Sequence, residues 1–181
     1  MPAPEGGAGL AGRIRAALRD VPDFPRPGIL FRDITPLLGD AALFVEVTTA
    51  MAAPFVGRGI THVAGIEARG FILAAPVAQA LGAGFVPIRK PGKLPARTIR
   101  REYGLEYGTN ALEIHADACP RGSRILLVDD VLATGGTAHA AAALVEEAGG
   151  TIEGCAFLLA ITGLGGAARL ARHDVRSLVE V

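Results

Sequence analysis

The chain reads as an α/β fold with a central, mainly parallel sheet flanked by helices. Three observations predict it. Short apolar runs alternate with helical patterns along most of the chain. Ile125-Leu-Leu-Val128 is a continuous apolar run, the mark of a strand buried on both faces; after Asp129-Asp130 and Ala133-Thr-Gly-Gly-Thr137 comes an Ala-rich helix pattern. His62 to Ile66 makes the same passage, through Glu67-Ala-Arg-Gly70, into a second helix. With 181 residues there is room for one domain and a sizeable core, and a hydrophobic half excludes bulk disorder.

The elements follow in order. Residues 1–9 are rich in Pro, Gly and Ala and predict a frayed tail. Leu10 to Leu18 predicts a short helix with Leu10, Ile14, Ala17 and Leu18 on one face. Pro22, Pro25, Pro27 and Gly28 then break regular structure, so 23–36 reads as an extended, rigid segment. Asp40 has the character of an N-cap for a helix over 41–56 with Phe44, Val47 and Met51 inward. A strand at 62–66, a helix at 71–81 and a strand at 85–89 come next. Residues 90–108 carry early breakers and many charges, and predict a long loop, the kind that serves as a lid. Strands are expected at 110–114, 124–129, 151–160 and 175–181, with helices at 136–148 and 165–171; Gly149-Gly150 ends the first of these helices.

Composition excludes several classes. The formal net charge is zero, so nothing global argues for nucleic acid or a membrane surface. No apolar run has spanning length, and no signal peptide is visible. Cys119 and Cys155 form no cluster and read as free thiols of a reducing cytosol. Ser123 and Ser177 are the only serines, and neither sits in a nucleophile elbow. The four histidines have no zinc-ligand spacing. The only lysines, Lys90 and Lys93, lie within four residues of each other and mark their loop.

A loop between the carboxyl end of a parallel strand and a helix start is where α/β sheets bind ligands. In Ala133, Thr134, Gly135, Gly136 and Thr137 the glycines admit close backbone approach, the free amides favour a phosphate, and the threonines add hydroxyl donors. No Lys follows the glycines, so this is not a Walker A loop. Two acids would repel a bare phosphate. Asp129 and Asp130 make sense if the ligand also carries hydroxyls or a metal, as a sugar phosphate does. At the second junction Arg69 suits forked contact with phosphate oxygens.

The segment 125–137 resembles the phosphoribosyl pyrophosphate (PRPP) signature of the type I phosphoribosyltransferases: a hydrophobic strand, two acids, three variable residues, then Thr-Gly-x-Thr. Arg-Lys-Pro-Gly-Lys-Leu-Pro at 89–95 and Leu-Glu-Tyr-Gly at 105–108 look like the ends of the catalytic flap of the adenine-specific branch, though residues 96–103 depart in detail. Residues 24–38 look like its hood over the base, and similarity runs from about Phe24 to the C-terminus.

The resemblance implies the type I phosphoribosyltransferase fold, with residues 10–181 as one domain, a hood at about 22–38 and a mobile flap at about 90–108. It implies transfer of the phosphoribosyl group from PRPP to adenine, with Mg2+ held mainly by PRPP and water, in a cytoplasmic homodimer that binds no nucleic acid. The site residues it implies are Ala133–Thr137 for the 5-phosphate, and Ala68, Arg69, Gly70, Arg89, Lys90 and Lys93 for pyrophosphate. Leu30, Phe31, the Arg32 backbone and Ile161 would hold adenine, while Glu106, Arg69, Asp129 and Asp130 act in catalysis. Family enzymes for 6-oxopurines carry a Lys after the signature, and none follows Lys93 here. A phosphoribosyltransferase for another base, or a PRPP-sensing regulator of the same fold, is the alternative.

Overall fold

The structure, a computed structural model, describes residues 9–104 and 109–181. The chain divides into two compact units, one ending at Val47 and the other beginning at Thr48. In the first, helix α1 spans Leu10–Ala17 and buries Ile14, as its pattern predicts. The expected extended segment is more regular than the sequence suggested. Strand β1, Arg19–Pro22, pairs antiparallel with β2, Leu30–Asp33, and the five-residue helix α2, Thr35–Gly39, follows. The prolines fall mostly in the connection between the strands, where they cost no ladder hydrogen bonds. Phe24 and Phe31 stack edge to face at 5.2 Å. Asp33 accepts the Thr35 hydroxyl at 2.5 Å and its N–H at 2.9 Å. These bonds, with Arg19 beside it, hold its carboxyl down at about 2.

Helix α3, Ala41–Ala52, begins in the first unit and ends in the second. Asp40 caps it, accepting the N–H groups of Ala42 and Leu43 at 3.0 Å. Val47 and Met51 are buried, but Leu43 takes the inward place expected of Phe44, which is only partly buried. The helix stops short of Val56 because Pro54 cannot extend it, and residues 53–55 tighten into one 3-10 turn.

In the second unit five parallel strands form the sheet: β3 (His62–Ile66), β4 (Gly84–Ile88), β7 (Arg124–Leu132), β8 (Thr151–Ala160) and β9 (Val175–Glu180), in the order β4-β3-β7-β8-β9. Helix α4, Arg69–Leu81, packs on β3 and β7, and α5, Gly136–Glu147, packs on β7 and β8. Ile125 and Leu127 enter a core cluster with Ala138, Ala141, Leu144 and Val145 of α5. Leu126 and Val128 are as fully buried, as a central parallel strand requires. The short helix α6, Gly166–Arg169, precedes β9. Cys119 and Cys155 are buried free thiols, and burial, aided by the charges of Asp174 and Glu146, pushes Cys155 up to about 12.

The predicted loop at 90–108 is corrected. Strand β5, Thr98–Gly104, pairs antiparallel with β6, Thr109–His115, in a two-stranded ribbon. Ile99 and Tyr103 turn toward the core, packing against the cluster that holds Leu112 and Ile114. That period-two pattern is hidden in the sequence by Arg100, Arg101 and Glu102 between them. Residues 105–108, and with them the expected catalytic Glu106, lie outside the described residues.

Candidate active site

Strands β3 and β7 are parallel neighbours, so their carboxyl ends open on the same edge of the sheet. There Glu67, Ala68 and Arg69, together with Lys90 and residues 129–138, line one cleft of about 470 Å³. The two anion-suited loops picked out in the sequence therefore share a cavity. The Glu67–Ala68 peptide is cis.

The loop Ala133–Thr137 delivers its amides to the start of α5, a helix long enough for its N-terminus to favour an anion. Gly135 is required twice over. Its φ is +77°, and a Cβ there would lie 2.7 Å from the Gly166 carbonyl oxygen. Helix α6 thus packs straight onto the phosphate-type loop. Gly136 has no such backbone demand; the space beside it holds the Arg169 guanidinium tip and the Tyr103 ring. The Thr137 hydroxyl donates to Tyr103 Oη at 3.3 Å, which brings the end of β5 to the loop.

The acids lie within β7, which continues to Leu132, rather than at its end. Asp130 is only 5 % exposed and pairs with Arg69 Nε. Asp129 Oδ1 accepts the Asp130 N–H at 2.9 Å. A Cβ on Gly70 would lie 2.6 Å from that same oxygen, so the absent side chain is what lets α4 start against β7. Burial pushes the Asp129 carboxyl well above the ordinary carboxylate range, and the charge of Asp130 adds to the shift. The bonded Asp130 N–H and the charge of Arg69 work in the opposite direction.

Glu67, the first residue of the Glu67-Ala-Arg-Gly70 loop, has no role legible in the sequence, yet it ties this loop to the chain that follows β4. It accepts Arg89 Nε and the Lys90 N–H, both at 3.1 Å. Burial works to raise its pKa, but these hydrogen bonds and the charges of Arg89 and Lys90 prevail and hold it below the usual range. Arg89, expected to face pyrophosphate, is turned toward Glu67 and the Lys93 carbonyl. Arg100 pairs with Glu102 at 3.0 Å across exposed side chains. Ile161 follows β8, its N–H donating to Leu132 O at 2.9 Å. Leu30, Phe31 and Arg32 lie on β2 of the first unit, where Arg32 pairs with Asp20. Among the described residues no group of three His, Cys, Asp or Glu could cage a metal ion, and no helix is long and apolar enough to cross a membrane.

Comparison with known proteins narrows what a sheet-edge cleft with a phosphate-type loop and an acid pair can serve. The phosphoribosyl transferase domain model matches residues 45–177. The chain belongs to the phosphoribosyltransferase family, and within it to the adenine phosphoribosyltransferases. The adenine phosphoribosyltransferase of Myxococcus xanthus is 56% identical over 170 residues, which cover 94% of this chain and 92% of the relative. The crystal structure of the enzyme from Thermoanaerobacter pseudethanolicus matches with a TM-score of 0.92 at 49% identity, covering 94% of this chain and 99% of that one. The Saccharomyces cerevisiae enzyme, complexed with an imino-altritol bisphosphate and adenine, matches at 0.87 and 37% identity, over 93% of this chain and 98% of that one.

Proposed function

We propose that this enzyme transfers the 5-phosphoribosyl group of PRPP to adenine, giving AMP and pyrophosphate in purine salvage. The observation that carries this reading is the single cleft in which a phosphate-type loop, an acid pair, Arg69 and Lys90 meet. Adenine and a sugar bisphosphate in the yeast relative support it.

In this mechanism the 5-phosphate rests on the amides of Ala133–Thr137, with the hydroxyls of Thr134 and Thr137. That fixes the ribose over Asp129 and Asp130, which take its hydroxyls. As the bond from C1 to the pyrophosphate oxygen breaks, the electron pair leaves with pyrophosphate and the ring gains positive charge. Negative charge on this acid pair favours that charge. Arg69, with the loop Ala68–Gly70, and the cations Lys90 and Lys93 face the leaving group, while Arg89 holds Glu67 and the Lys93 carbonyl beside them; preorganised charge of this kind is typically the largest catalytic contribution. Adenine N9 then bonds to C1, and the Glu106 carboxylate takes the proton the purine must lose. Leu30, Phe31, the Arg32 backbone and Ile161 are the residues assigned to the base, and flap closure keeps out the water that would hydrolyse PRPP.

The donor set fits a magnesium ion brought by PRPP and water, since two adjacent carboxylates, Asp129 and Asp130, line the cleft and no group of three ligands is found among the described residues. Magnesium, when bound, neutralises charge on the pyrophosphate oxygens. A homodimer in the cytoplasm completes the reading. The test is a base panel. Adenine, hypoxanthine, guanine, xanthine and orotate are each supplied with PRPP and magnesium, and nucleotide formation is followed. Adenine is expected to be preferred; better use of orotate or a 6-oxopurine would overturn the assignment.

A further inference from the structure

The chain's only two lysines occupy a four-residue turn, Lys90-Pro-Gly-Lys93, at the root of the flap. It has the marks of a type II turn: Pro91 in the second place, Gly92 in the third with φ +75°, and the Lys93 N–H donating to Lys90 O at 3.3 Å. Its backbone is held from three sides. Glu67 accepts the Lys90 N–H at 3.1 Å, Arg89 Nη1 donates to Lys93 O at 2.9 Å, and Glu113 Oε2 accepts the Gly92 N–H at 3.1 Å.

Glu113 is the unexpected member. It is only 8 % exposed, on a ribbon strand with no part in the acid pair. Its backbone and that of Arg89 exchange both hydrogen bonds, at 2.7 and 2.9 Å, so its side chain departs from a fixed point. Burying a carboxylate is costly, and a hydrophobe would fill the place more cheaply if packing were the only need. Both acids take backbone amides of the turn rather than its ammonium groups. Among the described residues neither Lys90 nor Lys93 is in an ion pair, and Lys90 lines the cleft. The turn is therefore fixed through its backbone, with neither ammonium group drawn into an ion pair among the described residues.

We propose that Glu113 is a positioning residue for the leaving group: through the Gly92 amide it fixes the turn that aims Lys90 at the pyrophosphate of PRPP. This rests on the reading of Lys90 as a pyrophosphate contact, so the experiment tests that separately. Steady-state kinetics of the full-length enzyme are measured for Glu113→Met, which keeps bulk and removes the acceptor, and for Glu113→Asp, which keeps charge and shortens the reach. Glu113→Gln retains an oxygen that can accept the Gly92 N–H, and Lys90→Gln is the separate control.

Both Met and Asp variants are expected to raise the KM for PRPP and the inhibition constant for pyrophosphate about tenfold, the scale of one hydrogen bond to a charged group. The KM for adenine should move less than about twofold, and Glu113→Gln should recover most of the loss. Whichever of the Met and Asp variants folds decides the matter. An unmoved PRPP KM, an equal rise for adenine, or a Gln variant as poor as Met would overturn the proposal. If Lys90→Gln leaves the PRPP KM unchanged, the pyrophosphate reading of Lys90 fails as well; if it raises that KM while the Glu113 variants do not, the Glu113 role alone fails.

Discussion

Gly135 and Gly136 are neighbours in one motif, yet replacing the first with alanine should cost stability and replacing the second should not. At Gly135 an alanine must keep φ near +77°. That costs about 1–2 kcal/mol for a left-handed L-residue. Its Cβ would also meet the Gly166 carbonyl oxygen at 2.7 Å, with Gly166 Cα at 3.0 Å, and backbone cannot swing aside as a side-chain tip can. Overpacking of that kind adds about 1–3 kcal/mol. The expected loss for Gly135→Ala is thus roughly 2–5 kcal/mol. Gly136 begins α5 with no positive φ, and the nearest atom to its added Cβ is Arg169 Nη1 at 3.2 Å, the end of a flexible, exposed side chain. Glycine to alanine in a helix gains about 0.5–1 kcal/mol, and less at the first position, so Gly136→Ala should be neutral or slightly stabilising. Urea denaturation without substrates reads both as shifts in midpoint at constant slope. Equal losses for the two variants would refute the reasoning, because they would mean that the contact with α6 does not set the requirement at Gly135. For Gly135→Ala the KM for PRPP should rise too, since the amides it displaces are those assigned to the 5-phosphate.

Asp130→Asn should lower kcat by about 10²-fold with a smaller change in KM, as for loss of an interaction made mainly in the transition state; single-turnover kinetics check it. Asp129→Asn bears on pH. A carboxyl raised in the folded state contributes stability below its unfolded pKa and loses it as pH rises through the folded value. Urea midpoints from about pH 4 to about pH 8 should therefore show the Asn variant gaining on wild type as pH rises. Glu106→Gln should reduce kcat by about 10²-fold while PRPP affinity holds. Glu102→Gln should stay near wild type in the same assay, because its exposed pair with Arg100 is worth little.

What was legible in the sequence is what the chain does over short stretches. The sheet strands declared themselves because burial on both faces forbids polar residues, as in Ile125–Val128. Asp40 was readable as a cap because a cap and the amides it serves lie two and three residues apart. The 133–137 loop was readable for the same reason: its amides, hydroxyls and helix start are contiguous. The β1–β2 hairpin and the β5–β6 ribbon were not. Each is defined by pairing, and their strands carry charges or stand beside prolines that mimic loop composition.

The site shows the same division, and its consequence is chemical. Asp129 and Asp130 are identical and adjacent, and the sequence offers no ground for telling them apart. Alternation along β7 sends them to different surroundings. Asp130 meets Arg69, sixty-one residues away, while Asp129 meets the glycine that starts α4. One is paired with a cation, and the other is pushed toward its neutral form by burial and by its own neighbour. A ligand that places hydroxyls on this pair therefore meets two different surroundings, a carboxyl held against the Arg69 guanidinium and one packed against the start of α4. The same holds for Glu67 and Glu113: the first lies in a ligand-type loop without a readable role and the second in no such motif, and their hydrogen bonds form only when the chain after β4 brings Arg89 and the lysine turn to them. Backbone-built ligand loops are local in sequence, whereas the electrostatics that tune them come from residues brought together only by the sheet.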